Sequence, residues 1–156
     1  MASSLEANDC YEYKEKRHSI IEASFSNKTK YEFENKKGEY IASKRQIDDC
    51  VIKNEEACDW LIGLKKNDEK EKTKKHLIFV ELKDSDLIKA IGQIENSINK
   101  LGYSKNDFLI HARIVLTKTY SPDINDNRVK KFIKRIQDGG GTVIYKSQRL
   151  IENRIT

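Results

Sequence analysis

Two carboxylates and an ammonium stand at the ends of apolar runs in this chain: Asp59, Glu81 and Lys83. Asp59 opens the run Cys58-Asp-Trp-Leu-Ile-Gly-Leu64, and Glu81 and Lys83 close the run His76-Leu-Ile-Phe-Val-Glu-Leu-Lys83. A charge at the end of a buried strand is costly unless it is paired or holds a metal. Two neighbouring carboxylates repel unless a proton or a divalent cation lies between them. Oxygen donors of this hard kind suit Mg²⁺ or Mn²⁺. The chemistry within reach is metal-assisted hydrolysis. An ion held there acts as a Lewis acid and lowers the pKa of bound water, and Lys83 beside it would orient that water and offset negative charge growing in the transition state. The plain alternative is an ion-pair cluster at a sheet edge, since patterns of three residues match by chance.

The elements must bring Asp59 to Glu81. Ile78, Phe79 and Val80 form an apolar, β-branched and aromatic core that reads as a buried strand. Glu81 and Lys83 are two apart, so in a strand they share a face. Between the two apolar runs, residues 65–75 are wholly polar and alternate in sign, which reads as a hairpin tip, solvated first and a groove-reaching finger second. A hairpin symmetric about Lys70 sets Asp59 opposite Glu81 on one face. Cross-strand neighbours then have Cβ atoms roughly 4.5–5.5 Å apart, and a slip of one residue would part them.

Asp59 followed by Glu81-Leu-Lys83 at the end of an apolar strand resembles the D…(D/E)-x-K signature of the PD-(D/E)XK nuclease superfamily. The likeness spans residues 45–150 in element order. Cys58 stands where the family has a proline, and Glu12, Glu15 and Glu22 compete for its N-terminal glutamate. The resemblance implies a restriction endonuclease-like core, Mg²⁺ with Mn²⁺ as substitute, the Leu82 carbonyl as a further metal ligand, and Gln93 on the following helix reaching into the site. A helical wheel sets Gln93 well away from the Ile91/Ile94 stripe, which reads instead as an exposed polar residue. The resemblance further implies a small enzyme that dimerises or works with a partner protein, in restriction, repair or defence against phage.

Elsewhere the pattern predicts an α/β (α+β) domain, a central mixed β-sheet flanked by helices. Residues 1–10 read as a disordered tail and 11–156 as a single domain. Residues 11–23 fit helix or strand, and 24–52 alternate as two or three antiparallel strands. Ser85 or Asp84 caps a helix whose stripe is Leu87, Ile91, Ile94, Ile98 and Leu101, ended by Gly102. Residues 108–117 read as a central strand interrupted by His111 and Arg113, which face either a phosphate or each other as a satisfied buried pair. Ser121-Pro122-Asp123 reads as a turn. Asp126 opens a helix with Val129, Phe132, Ile133 and Ile136 inside, and Gly139 to Gly141 stop it. Lys130 and Lys134, on its outer face, could lie on a nucleic-acid backbone or simply be solvated. Lys44 and Arg45 read as backbone-touching cations or as a solvated strand end, and Asp48 and Asp49 as turn residues or rival metal ligands. Thr142 to Tyr145 read as a last buried strand, with Leu150 and Ile151 packing after it.

With 156 residues, 35% of them charged and a net charge of +5, the chain has an ionic surface compatible with DNA, RNA not being excluded. No apolar run approaches a membrane-spanning helix, and the first residues lack the basic and apolar regions of a signal peptide, so no membrane role is expected. Three cysteines, an odd and small number, read as buried thiols in a reducing cytoplasm. Cys50, Cys58 and His76 lack the spacing and the fourth ligand of a zinc site. No glycine-rich phosphate loop follows a strand, so no organic cofactor is expected. A non-catalytic binding or assembly subunit, engaging nucleic acid or a protein, is the competing reading.

Overall fold

The computed structural model describes residues 10–67, 73–82, 85–118 and 125–155. Lys83, Asp84, the hairpin tip around Lys70 and the Ser121–Asp123 turn lie outside the described residues. The chain forms β1 (Tyr11–Lys16), β2 (Ile20–Phe25), β3 (Thr29–Glu34), β4 (Tyr40–Gln46), β5 (Trp60–Lys66), β6 (Lys75–Glu81), α1 (Leu87–Leu101), β7 (Phe108–Leu116), α2 (Asn127–Asp138), β8 (Val143–Ser147) and β9 (Arg149–Glu152). It is an α+β protein with two sheets. Six strands run in the order β1-β4-β5-β6-β7-β8, antiparallel as far as β6 and parallel from β6 to β8. The second sheet has three strands in the order β2-β3-β9.

Side-chain alternation divides the core between two faces of the large sheet. Leu61, Leu77, Phe79, Ile110, Ala112 and Ile114 meet the apolar stripes of α1 and α2. Ile62, Leu64, Ile78, Val80, Leu82 and Val115 meet Ile21, Ala23, Tyr31, Phe33 and Leu150 of the small sheet. The central strands are therefore apolar on both faces, as strands covered on both sides must be.

The helix ends follow from their caps. Asp86, rather than Ser85 or Asp84, is the N-cap of α1, its side chain accepting from the N–H groups of Ile88 and Lys89. Gly102 closes α1 in the left-handed region (φ 67°), where a side chain would be strained. Asp126 caps α2, and Gly139 follows it. A Cβ at Gly141 would run into the Ile110 carbonyl, so only glycine lets the chain cross β7 on its way to β8.

Several expectations need correcting. The strand after Gly141 is the half-buried edge strand of the large sheet rather than a buried one. Residues 47–52 form a turn, with Ile47 and Ile52 pointing into the helix-side core. Cys10 is buried and its carbonyl accepts the Gln46 N–H, so the chain is tied down from this residue on. Cys10 and Cys50 form a disulfide, and Cys58 alone is a free, buried thiol. A disulfide sits poorly with the reducing cytoplasm expected from the cysteine count.

Candidate active site

The β5–β6 register pairs Trp60 with Val80 and Leu61 with Phe79, the pairing of a hairpin symmetric about Lys70. One step further lies Asp59, whose N–H donates to the Val80 carbonyl at 3.0 Å. Asp59 and Glu81 are buried, with exposures of 6% and 1%. Both share the face of Leu61 and Phe79, the face covered by the helices. The Asp59 Oδ2 accepts the Leu82 N–H at 2.7 Å, which locks the end of β6 to the start of β5. The thiol of Cys58 is held well above its usual pKa, chiefly by burial; the Ser97 hydroxyl opposes this, and the negative charges of Glu81 and Asp59 add to it.

The helix α1 grips the segment just before Asp59. Ser97 Oγ accepts the Cys58 N–H at 2.9 Å and donates to the Gln93 carbonyl at 2.9 Å. Asn96 adds a bond from Nδ2 to the Glu56 carbonyl at 2.5 Å. From the other side, Ile47 N–H reaches the Asp59 carbonyl and Asp48 N–H the Cys58 carbonyl, each at 3.0 Å. Gln93 is half-buried, one turn before Ser97 on the flank that faces this segment, rather than the exposed residue its wheel position suggested.

Leu82 points into the inter-sheet core, and its carbonyl accepts the Thr29 hydroxyl at 2.5 Å. A carbonyl has two lone pairs, so this bond leaves one for another partner. Lys83 lies outside the described residues.

The cations proposed for nucleic acid divide. Lys44 is buried on the small-sheet face, with Nζ 3.1 Å from Glu12 and 4.2 Å from the Trp60 ring centre. Arg45 is buried on the helix face, packed over the Tyr11 ring, and its Nη1 donates to the Tyr103 hydroxyl at 3.5 Å. Neither is a solvated strand end. Arg113 has no exposure, and its guanidinium is spent on Glu152 (Nε–Oε2 2.8 Å), on the Thr142 carbonyl and hydroxyl, and on the Ala112 carbonyl. That is the buried-pair alternative with Glu152 as the partner, and it leaves Arg113 no surface from which to meet a phosphate. Lys130 and Lys134 are exposed on α2, with Lys134 paired to Asp138 at 3.1 Å. Asp49 sits in a turn with φ 58°, and Asp48 bridges to Ile52.

A second polar cluster lies between the sheets. His111 and His76 face each other, Nε2 to Nδ1 at 2.9 Å. The Thr142 N–H donates to His111 Nδ1 at 3.1 Å, so that nitrogen is an acceptor and the ring proton sits on Nε2, pointing to His76. Burial first, then the positive Arg113 and His76, pushes the His111 pKa down to about 3. Burial likewise lowers that of His76.

Ser97, Thr29 and Glu152 were missed by sequence reasoning. Ser97 had a signal, a lone hydroxyl three residues after Ile94 on the apolar stripe. Thr29 and Glu152 had none, because their partners are 53 and 39 residues away. Among the described residues no three His, Cys, Asp or Glu side chains cluster as a metal site. Asp59 and Glu81 supply two carboxylates, and Mg²⁺ is commonly held by one or two carboxylates with waters. No family model, curated protein or solved structure matches this chain.

Proposed function

We propose that the protein is a metal-dependent nuclease that hydrolyses phosphodiester bonds of DNA, with a restriction endonuclease-like core. One observation carries the reading: Asp59 and Glu81 are both buried at the ends of β5 and β6, which the Asp59–Leu82 bond joins. Two carboxylates in one buried site favour a divalent cation between them. They would hold Mg²⁺ or Mn²⁺, with the free lone pair of the Leu82 carbonyl as a further donor. The ion, when bound, supplies Lewis acidity toward the phosphate and a more acidic water. The Leu82 N–H fixes Asp59 Oδ2, and β6 fixes the backbone of Glu81, before any ion arrives. Burial under α1 excludes bulk water and so strengthens electrostatics at the site. Lys83, two residues after Glu81 in the sequence, would orient the attacking water; Gln93, on the flank of α1, would complete the wall.

The test is cleavage of supercoiled plasmid, linear duplex and single strands in Mg²⁺, Mn²⁺ and EDTA. Asp59→Asn, Glu81→Gln and Lys83→Ala are expected to lose metal-dependent cutting while keeping the wild-type circular dichroism spectrum. Full activity in any of them removes that residue from the site.

The Leu82 bonds to Asp59 and Thr29 favour a second reading, because they brace the strand end without any ion. A binding or assembly subunit would use the same bracing. It predicts no shift in melting temperature on adding Mn²⁺, where an ion site predicts a rise.

A further inference from the structure

At the end of the large sheet that carries Glu81, a cavity of about 810 Å³ opens on the outer face of the small sheet. Its walls come from the β2–β3 turn with Lys28, Thr29 and Lys30, from Thr117 just past β7, and from Gln148 and Arg149 at the start of β9. The walls are fixed to each other by backbone bonds. Lys30 N–H donates to the Gln148 carbonyl at 2.9 Å, and Gln148 N–H to the Leu116 carbonyl at 2.8 Å. Gln148 holds a φ of 67° to do so, a left-handed conformation that costs a non-glycine residue free energy. The cavity touches the carboxylate site through Thr29, which lines it and donates to the Leu82 carbonyl.

The lining carries three cations, Lys28, Lys30 and Arg149, and one carboxylate, Glu22. Lys30 is engaged with Glu22 and Glu32, each at 3.2 Å. Lys28 and Arg149 are exposed and have no carboxylate partner among the described residues. No aromatic side chain lines the cavity among the described residues. Single-strand binding relies on aromatic platforms for bases, whereas a duplex backbone is held by cations, hydroxyls and amides alone.

We propose that this cavity receives the phosphate backbone of a nucleic-acid duplex, through Lys28 and Arg149, without reading its sequence. The partner's identity rests on the nuclease reading; the site itself rests on the cavity and its charges. The β2–β3 turn then serves as a clamp at the strand ends, and Thr29 couples the held backbone to the peptide that follows Glu81.

The test is anisotropy of a labelled DNA duplex in EDTA across a salt series, for wild type and Lys28→Glu/Arg149→Glu, with Lys130→Glu/Lys134→Glu as the charge control. Loss of two phosphate contacts is expected to weaken binding by about tenfold or more and to lower the slope of log K against log salt by about 2. The control pair is expected to change neither as much. Wild-type binding absent, unchanged in the cavity variant, reduced more by the control pair, or tighter for a single strand than for a duplex would each overturn the proposal. Cutting is scored separately. Duplex binding lost in the cavity variant, with no metal-dependent cutting by wild type, keeps the cavity and sinks the nuclease. Cutting by wild type with undiminished binding and salt slope in the cavity variant does the reverse.

Discussion

On the proposed reading Asp59 has two tasks, and substitutions separate them. One carboxylate oxygen satisfies the buried Leu82 N–H, a purely structural bond. Alanine at this position leaves that N–H without an acceptor, at a cost of about 1–3 kcal/mol. Asparagine keeps an oxygen there. Asp59→Ala is therefore expected to melt several degrees below Asp59→Asn in a thermal scan, while both lose the charge an ion needs. Equal melting temperatures would mean that the Leu82 bond contributes nothing. His111 gives a second residue-level expectation, with a definite sign. Its folded pKa is depressed to about 3 by burial and the charge of Arg113, whereas an unfolded histidine titrates near 6.5. The unfolded chain thus takes up a proton first as pH falls. The stability His111 contributes is complete above pH ~6.5 and is lost below it, at up to about 1.4 kcal/mol per pH unit. Melting temperature should fall from pH 7 to pH 4 more steeply for wild type than for His111→Asn. Parallel curves would show that the ring is not held neutral.

Among the elements, β9 is attached to the large sheet by a charge. Arg113 of β7 reaches Glu152 of β9 at 2.8 Å, and Tyr31 of β3 donates to the same oxygen at 2.7 Å. Burial and the Glu152 charge hold the Tyr31 phenol well above its usual pKa, so it stays a donor. Glu152→Ala strands a buried guanidinium and is expected to cost about 3–5 kcal/mol in urea denaturation. The double variant Arg113→Met/Glu152→Leu should recover much of that loss, since the desolvation penalty goes with both charges. If the double variant is as unstable as the single, the pair is more than a charge pair. This junction also marks where the sequence stops being legible. The β5–β6 register could be read because the polar run between two apolar runs fixes a local symmetry, and α1 and α2 because their stripes and caps are local. The small sheet could not. Its strands β2 and β3 look like members of the main meander, and β9 shows only Leu150 and Ile151 as an apolar signal. Which sheet each strand joins is decided by partners such as Glu152, far along the chain. Lys44 and Arg45 misled for the same reason: their burial follows from Trp60, Glu12, Tyr11 and Tyr103, none of them local in sequence.

At the scale of the whole molecule, the Cys10–Cys50 disulfide joins the start of β1 to the turn that precedes the site. Its consequences run along a short path. Cys50 sits in the turn from Ile47 to Ile52; Ile47 N–H bonds the Asp59 carbonyl, and Asp48 N–H the Cys58 carbonyl. The cross-link closes a loop with a sequence separation of 40, and the removal of such a constraint typically costs 2–4 kcal/mol. For a chain of this length that corresponds to a fall in melting temperature of roughly 4–16 °C. The path adds a functional expectation, because a looser turn lets the strand start that carries Asp59 drift from Glu81. Reduction with dithiothreitol, or Cys50→Ser, should therefore lower both the melting temperature and any metal-dependent cleavage, and the two treatments should not add. Peptide mapping of the unreduced protein should recover Cys10 joined to Cys50, with Cys58 free. A chain that works in a reducing cytoplasm must tolerate the dithiol form. Undiminished stability and cleavage under dithiothreitol would fit that compartment and make the cross-link dispensable, whereas losing both on reduction would assign the working protein to an oxidising one.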